Sequence, residues 1–160
     1  MRIGYGEDLH ALVRGRPLRI GGVVVPADKG EQAHSDGDVL IHAIADALYG
    51  AIGSRDIGYH FPDNDPGCLN LKGEVIAHHA VGLVRKAGYE IGNLDCTVFL
   101  QQPKLSRLIP QIRSSLASIL ELNVKRISVK AKTNEGFDAV GEGKAIRAVA
   151  VVLLEKENEK

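Results

Sequence analysis

The sequence predicts an α+β domain, an α/β sandwich in which one mixed four-stranded sheet carries helices on one face. Three observations support this prediction. The chain has 160 residues, the usual size of one domain. Its 44% apolar and 25% charged residues are ordinary for a globular protein. Stretches with the periodicity of strands also alternate with stretches that have the periodicity of helices, as in a layered α and β fold.

Extended segments are predicted where apolar residues alternate or run continuously between Gly, Pro and polar residues. These segments are residues 2–13, 18–26 (interrupted at Gly21 and Gly22), 94–100, 124–131 and 145–154. Apolar spacing of three and four predicts three helices. They run from residue 35 or 36 to Gly50, from 71 to 87, and from 106 to 120. Residues 54–68, rich in Asp, Gly and Pro, are predicted to form a long loop of functional importance.

The last predicted strand has an unusual pattern. Residues 148–154 are apolar without alternation, which is typical of a strand covered on both faces. Three helices are few to cover both faces of a sheet, so we expect another copy of the chain to cover the second face. The whole chain, 1–160, is predicted to be one catalytic domain, with residues 155–160 as a frayed tail.

Composition argues against several classes of function. Twenty basic and twenty acidic residues give zero net charge, and there are four Tyr, three Phe and no Trp. A basic field and an aromatic platform for nucleic acid are therefore both missing. The longest apolar run is seven residues, too short for a membrane span. Because Met1 is followed at once by a motif, we expect no signal peptide and a bacterial cytoplasmic location. Cys68 and Cys96 show no CxxC spacing and are expected to be reduced thiols.

The first group with metal-binding chemistry is Asp8, His10 and His42. Residues two apart on a strand point to the same side, so Asp8 and His10 can converge on one cation. His42, on the first predicted helix, supplies a third ligand, and such a set suits zinc with an open fourth position. The alternative is a capping Asp beside two half-buried histidines.

The second group is the segment from His34 to Asp38. Ser35 or Asp36 can cap the first helix, and His34 lies just before its N-terminus, where phosphate is stabilised. An imidazole at that point can donate a hydrogen bond to a phosphoryl oxygen. Asp38 and Asp46 flank His42 at four residues on either side, so one of them can orient its second ring nitrogen.

Two later segments carry further polar groups. The loop Asp56–Asp65 lacks the ligand spacing of an EF-hand, and recognition of a polyol is the more economical functional interpretation. The alternative is an ordinary surface loop.

After a strand, Gln101, Gln102, Pro103 and Lys104 expose backbone groups that can contact a base. Lys132 offers a charge and Thr133 a hydroxyl to phosphate, and Glu135 offers an oxygen ligand for Mg²⁺ or Mn²⁺.

Taken together in this order, the segments resemble the 2-C-methyl-D-erythritol 2,4-cyclodiphosphate synthase family of non-mevalonate isoprenoid biosynthesis. The resemblance covers residues 4 to about 143. It rests on six ordered pieces: Gly6-Glu7-Asp8-Leu9-His10; Ala33-His34-Ser35-Asp36-Gly37-Asp38 with His42; Asp56-Ile57-Gly58; Phe61-Pro62-Asp63-x-Asp65; Gln101-x-Pro103-Lys104; and Lys130-Ala131-x-Thr133 with Glu135. The chain departs from the family pattern at Glu7, often an aromatic residue, and at Val140, often Arg.

The resemblance implies a ferredoxin-like sheet and a homotrimer that assembles through the sheets, with active sites between subunits. The substrate would be 4-diphosphocytidyl-2-C-methyl-D-erythritol 2-phosphate, cyclised with loss of CMP. Zinc would bind Asp8, His10 and His42, and Glu135 would bind Mg²⁺ or Mn²⁺ on the nucleotide phosphates. His34 and Thr133 would stabilise the transition state. The implied substrate-binding positions are Asp8, Leu9, His10, His34, Ser35, Asp56, Ile57, Gly58, Phe61, Pro62, Asp63, Asn64, Asp65, Leu100, Gln101, Gln102, Pro103, Lys104, Leu105, Ser106, Lys132, Thr133, Asn134, Glu135 and Phe137.

Two other functions use some of the same residues. A mononuclear zinc hydrolase would use Asp8, His10 and His42 with Glu135 or Asp63 as base, and water would enter its product. A non-catalytic trimeric module would use zinc for folding alone. Neither explains why all the segments occur together, so the sequence favours the cyclase, which acts on a small nucleotide substrate and binds neither nucleic acid nor membrane.

Overall fold

The computed structural model describes residues 1–33, 35–62, 64–68 and 70–156. The strands are β1 (Arg2–Arg14), β2 (Leu18–Ile20), β3 (Val23–Val25), β4 (Lys29–Gln32), β5 (Tyr89–Phe99), β6 (Ile127–Lys132) and β7 (Ala145–Lys156). The helices are α1 (Val39–Ala51), α2 (Ile57–His60), α3 (Gly73–Lys86), α4 (Ile109–Ile119) and α5 (Asp138–Gly141), with 3₁₀ turns at Pro66–Cys68 and Val124–Arg126.

The main sheet is mixed and has five strands in the order β4-β1-β7-β5-β6. The pairs β1·β4, β1·β7 and β5·β7 are antiparallel, and β5·β6 is parallel. The prediction of four strands was therefore wrong, because β4 was missed. Its sequence, Lys29-Gly30-Glu31-Gln32, has no apolar alternation, and it forms a strand because it pairs with residues 11–14 of β1. β2 and β3 form a separate hairpin around Gly21 and Gly22.

Three helices cover one face of the main sheet, as the sequence predicted. Helices α1, α3 and α4 contact the sheet, and the β7 residues of that face are fully buried. These residues are Ile146, Ala148, Ala150, Val152 and Leu154. The residues of β7 that alternate with them are only partly buried in the single chain, and Val151 is 41% exposed. The second face, expected to be covered, is thus open in one copy of the chain.

Helix α1 packs unusually close to β1, and this contact positions the candidate site. A Cβ at Gly4 would lie 1.8 Å from the carbonyl oxygen of Ala47, and a Cβ at Gly6 would lie 2.0 Å from that of Ala43. Only glycine allows this approach. Because of this close packing, the residues of α1 that face β1 lie near Asp8 and His10, which follow Gly6 on the same face of the strand.

Several predicted boundaries are corrected by the structure. Glu155 and Lys156, predicted to be frayed, pair with Glu90 and Tyr89 as part of β7, while residues 157–160 lie outside the described residues. The first helix begins at Val39 and not at 35 or 36, because Asp38 is its N-cap. The predicted strand 124–131 begins at Ile127 after a 3₁₀ turn, and α5 was missed. Within the described parts of the chain, no helix is both long and apolar enough to span a bilayer.

Candidate active site

Asp8, His10 and His42 meet in three dimensions. Asp8 and His10 are two residues apart on β1 and lie on its α1 side, where Gly4 and Gly6 admit the helix. His42 is in the first turn of α1, is 7% exposed, and faces the two strand residues. Asp8 Oδ2 lies 2.8 Å from His10 Nε2 and 3.0 Å from His42 Nδ1.

Both imidazole rings are held by partners on the segment before α1. His10 Nδ1 donates to the carbonyl oxygen of Gly37 at 2.9 Å. A carbonyl can only accept, so Nδ1 carries the proton and Nε2 of the neutral ring has a free lone pair. His42 Nε2 lies 3.1 Å from Ser35 Oγ, which also accepts a hydrogen bond from the backbone N–H of Gly37. One short segment therefore orients both rings.

The partners of the His42 ring are Ser35 and Asp8, and neither Asp38 nor Asp46, of which one was expected to orient the ring, hydrogen-bonds to it. Asp38 is fully buried, and its carboxylate accepts hydrogen bonds from the N–H groups of Gly21, Gly22 and Ile41. Asp46 accepts from the N–H of Ile57 at 2.7 Å and so ties α1 to the start of α2. Ser35, suggested as a helix cap, instead contacts His42, because the left-handed Gly37 (φ +84°) turns the chain back before the helix. Asp36, the other suggested cap, accepts from Gly73 N–H of α3 and, at 3.4 Å, from Asp38 N–H.

The electrostatics of the group favour a bound cation. Burial alone would raise the pKa of Asp8, but hydrogen bonds from His10 and His42 outweigh it and hold that pKa well below its usual range. Burial would lower the pKa of His10, but the Asp8 carboxylate outweighs it and raises that pKa. Asp8 is therefore ionised. Its carboxylate favours protonation of His10, and this proton competes with a metal ion for the ring nitrogen.

The donor set fits a divalent transition metal. One ligand atom from each of Asp8, His10 and His42 lies within 4.8 Å of the others, and no other group of this kind occurs in the described part of the chain. Two imidazole nitrogens and one carboxylate oxygen are ligands that Zn²⁺ accepts, and three protein ligands leave a position open. Partners that fix the ring orientations, such as Gly37 and Ser35, are typical of metal-bound histidines.

A cleft of about 310 Å³ opens beside the three residues. Among the predicted substrate-binding residues, Ser35, Ile57, Gly58 and Phe61 line it together with Asp8, His10 and His42. The remaining lining residues, Gln32, Ala33, Cys68, Leu71 and Ile76, were not predicted to bind substrate, although Ala33 belongs to the motif that ends at Asp38. The other four lie on β4, on α3, in the 3₁₀ turn at Pro66–Cys68 and just before α3, and no local motif marks them as part of a site.

Other predicted contacts of this region are placed differently. Leu9 points to the opposite face of β1 and is 57% exposed, so its side chain does not line the cleft. Asp56 caps α2 through the N–H of Tyr59, and Asp65 accepts from the N–H of Gly67, so both stabilise the loop locally. Pro62 and Asn64 are not lining residues either. His34 and Asp63 lie outside the described residues.

The late segments form a second cleft, of about 430 Å³. Its lining residues are Leu100, Lys104, Leu105, Ser106, Ile109, Ala131, Lys132 and Thr133, of which Ile109 and Ala131 were not predicted. Gln101 lies in the same loop without lining the cleft, and Gln102 and Pro103 border a neighbouring depression with Lys29 and Glu142.

The residues after Thr133 form a compact turn at the rim of this second cleft. The Thr133 hydroxyl donates to Glu135 Oε1 at 2.7 Å, and Asn134 Nδ2 donates to Asp138 Oδ2 at 2.8 Å. Phe137 is 76% exposed. Within the described ranges, Glu135 belongs to no group of three metal-ligating side chains.

The two clefts are not joined within one chain. Asp8 and His10 are on β1, whereas Thr133 follows β6, and β7 and β5 lie between these two strands. Three strand spacings separate β1 from β6 by about 14 Å in the sheet. These residues were expected to form one type of site between subunits, and a single copy of the chain presents them in two separate clefts.

Comparison with known proteins places the whole chain in one family. The model of the YgbB family matches residues 1–155. The 2-C-methyl-D-erythritol 2,4-cyclodiphosphate synthase of Geotalea daltonii is 48% identical over 159 residues, covering 99% of this chain and 93% of the relative. The chloroplastic synthase of Arabidopsis thaliana is 50% identical, covering 98% of this chain and 68% of the relative.

Solved structures give the same result. A 2C-methyl-D-erythritol-2,4-cyclodiphosphate synthase in its CDP-bound form superposes with a TM-score of 0.89 at 41% identity, covering 96% of this chain and 100% of the other. The resemblance drawn from the ordered motifs is thereby confirmed. The chain belongs to the YgbB family of 2-C-methyl-D-erythritol 2,4-cyclodiphosphate synthases.

Proposed function

We propose that this chain converts 4-diphosphocytidyl-2-C-methyl-D-erythritol 2-phosphate into 2-C-methyl-D-erythritol 2,4-cyclodiphosphate and CMP, in non-mevalonate isoprenoid biosynthesis. The observation that carries the proposal is the convergence of Asp8, His10 and His42 beside a cleft lined by Ser35, Ile57 and Phe61. These residues belong to the motifs that first indicated the family, and the relatives at about half identity carry the name of this enzyme.

The reaction needs no nucleophile from the protein. An oxygen of the 2-phosphate forms a bond to the β-phosphorus, and the bond from that phosphorus to the bridging oxygen breaks. CMP leaves with that oxygen and the bonding electrons, and no water enters. The protein must therefore fold the substrate back on itself and stabilise the charge that builds at phosphorus.

Asp8, His10 and His42 would hold Zn²⁺, and Ser35 and Gly37 would keep the two rings in place for it. A zinc ion bound there supplies a Lewis acid for a phosphate oxygen. His34, which lies five residues before α1 in the sequence, would donate a hydrogen bond to a phosphoryl oxygen. The cleft walls at Ile57, Gly58 and Phe61 would enclose the methylerythritol unit and exclude water from the reacting groups.

The second cleft would take the cytidine end of the substrate. Leu100, Lys104, Leu105 and Ser106 form its wall, and a member of the family was solved with CDP bound. Lys132 would bring positive charge to the phosphates, and Thr133 has a hydroxyl positioned to donate, as its contact with Glu135 illustrates. Glu135 would hold Mg²⁺ or Mn²⁺ on those phosphates. At nucleotide sites these ions are usually bound by only one or two protein carboxylates together with the phosphates.

A homotrimer would complete each site from two subunits. Zinc ligands and nucleotide-binding residues lie in different clefts of one chain, and one substrate must contact both sets. The uncovered face of the main sheet supplies a surface for assembly, since Ile3, Tyr5 and Val151 are 71%, 58% and 41% exposed there. Burial of such apolar residues favours association.

The experiment is incubation with the diphosphocytidyl substrate and Mg²⁺, followed by phosphorus NMR. A cyclic diphosphate and one equivalent of CMP are expected. Running the reaction in H₂¹⁸O separates the two enzyme classes, because a cyclase leaves the label in water and a zinc hydrolase transfers it to product. Label in the product, or no CMP at all, would refute the proposal.

A further inference from the structure

Glu31 is a buried acidic residue for which the metal site and the reaction have no assigned use. It lies on β4, is 0% exposed, and points away from solvent beside a second buried carboxyl group, that of Asp38. Burying a carboxyl group is costly unless hydrogen bonds satisfy it. The contacts of Glu31 are therefore informative about what the residue holds in place.

Glu31 joins three elements. Its Oε1 accepts from the backbone N–H of Val39, the first residue of α1, at 3.2 Å, and its Oε2 accepts from the N–H of Arg19 on β2 at 3.2 Å. Asp38 makes a parallel set of contacts, because its carboxylate binds the β2–β3 hairpin and the N–H of Ile41. The segment between these two carboxyl groups, residues 32–37, is thus fixed at both ends.

That segment is the one that orients the metal-ligating histidines. Gly37 packs against Glu31, since a Cβ built on Gly37 would lie 3.0 Å from the Cβ of Glu31. The Gly37 carbonyl accepts from His10 Nδ1, and the Gly37 N–H donates to the Ser35 hydroxyl that contacts His42. A displacement of Gly37 would therefore turn both rings at once.

The charge state of Glu31 supports a role in structure and not in proton transfer to solvent. Burial, together with the nearby carboxylates of Asp38 and Asp36, raises the pKa of Glu31 to about 9, against the opposing hydrogen bonds from Val39 and Arg19. At neutral pH the side chain is protonated and uncharged. Glutamine matches it in charge and size, but its single acceptor oxygen can keep only one of the two N–H contacts.

We propose that Glu31 is a positioning residue for the metal site: by holding the start of α1 and supporting Gly37, it sets the orientation of His10 and His42 toward a bound cation. The inference rests on the metal site of the proposed function and adds a residue to it. Gly37 and Ser35, which Glu31 would hold in place, contact the histidines directly, and loss of such partners usually weakens metal binding by about tenfold or more.

The test compares E31Q with E31L by titrating the metal-free proteins with Co²⁺ and following its visible absorption. Leucine is close in size but leaves the N–H groups of Val39 and Arg19 without acceptors. We expect E31L to bind Co²⁺ at least about tenfold more weakly, with an altered spectrum, and E31Q, whose amide oxygen keeps one of the two contacts, to bind more tightly than E31L. The control is Leu154→Ala, a core change on β7. Leu154 pairs with Arg2, at the end of β1 that is remote from Asp8.

The control separates positioning from general loss of stability. L154A is expected to unfold at a lower temperature yet bind Co²⁺ with unchanged affinity and spectrum. Equal weakening in E31L and L154A, or normal binding by E31L, would overturn the inference. If E31L does not fold, E31A replaces it in the same titration. Unchanged Co²⁺ binding by E31A would then overturn the inference that Glu31 positions the metal site. Metal titration is independent of turnover, so it separates this inference from a failure of the proposed reaction.

Discussion

The hydroxyl oxygen of Ser35 lies 3.1 Å from Nε2 of His42, and the other nitrogen of that ring faces the Asp8 carboxylate at 3.0 Å. The two contacts fix both ends of the imidazole, so the ring can present Nδ1 to a cation only in one orientation. Ser35 is held in turn by the N–H of Gly37. The orientation of His42 is therefore a property of the segment before the helix as much as of the helix itself.

Ser35→Ala should weaken zinc binding by about tenfold, the usual effect of losing the partner of a metal-bound histidine. The ring of His42 would remain but would lose the contact that fixes it. Equilibrium dialysis with Zn²⁺ measures the effect. Ser118→Ala, an exposed change on α4, serves as the matched control and should leave the affinity unchanged. Equal zinc affinity in all three proteins would remove Ser35 from the metal site.

Glu31 should make the stability of the fold depend on pH. Its pKa is raised from an ordinary value of about 4.5 to about 9, so between these values the folded chain retains a proton that the unfolded chain has released. The unfolded state then binds fewer protons, and the free energy of unfolding contributed by Glu31 falls as pH rises. This contribution is complete below about pH 4.5 and is lost as pH rises toward 9.

Urea unfolding at fixed protein concentration from pH 5 to 9 tests this dependence. Asp38 also has a raised pKa, so the useful quantity is the difference between the unsubstituted protein and E31Q. Glutamine cannot ionise, and the unsubstituted protein should therefore lose stability relative to E31Q as pH rises. A difference that stays constant over this range would show that Glu31 has no raised pKa.

The convergence of Asp8, His10 and His42 could be predicted from the sequence. Asp8 and His10 are close in sequence on one strand, and the two-residue period puts them on one face wherever that strand lies. The helix that carries His42 was recognisable from its apolar spacing. What the sequence did not indicate was why the helix comes close enough, which depends on Gly4 and Gly6 meeting the backbone of α1.

Other parts of the fold depend on partners distant in sequence. The strand at Lys29–Gln32 forms by pairing with β1 and has no pattern of its own. Asp38 was considered, with Asp46, as a partner of His42 because a spacing of four suggests one helix face. Asp38 is instead the N-cap of α1, and its carboxylate also binds the β2–β3 hairpin. The residues around Asp38 in the sequence do not predict this contact. Such contacts follow from tertiary packing, which local periodicity does not describe.

Val151→Asp should weaken assembly of the proposed trimer. Val151 lies on the open face of the sheet, and a carboxylate there would be buried without a partner when subunits associate. We expect the dissociation constant of the assembly to rise by about a hundredfold or more. Light scattering after size-exclusion chromatography measures the mass. Val124→Asp, exposed on the 3₁₀ turn before β6, is the control, and equal masses for both variants would exclude this face as the interface.

A mixture of two variants, each with one half of the site impaired, should recover activity if each site is shared between subunits. His42→Ala destroys the metal half of a site, and Thr133→Val impairs the nucleotide half by removing its hydroxyl donor. In trimers co-expressed from both variants, a site that pairs the intact metal half of one subunit with the intact nucleotide half of its neighbour is complete. Random assembly gives about one quarter of all sites in that state.

The initial rate of CMP release in purified mixed trimers should therefore exceed the rate of either parent. A mixture of H42A with S35A, both altered in the metal half, should gain nothing. If the H42A and T133V mixture also shows only the average of its parents, the two clefts serve no common substrate across a subunit boundary.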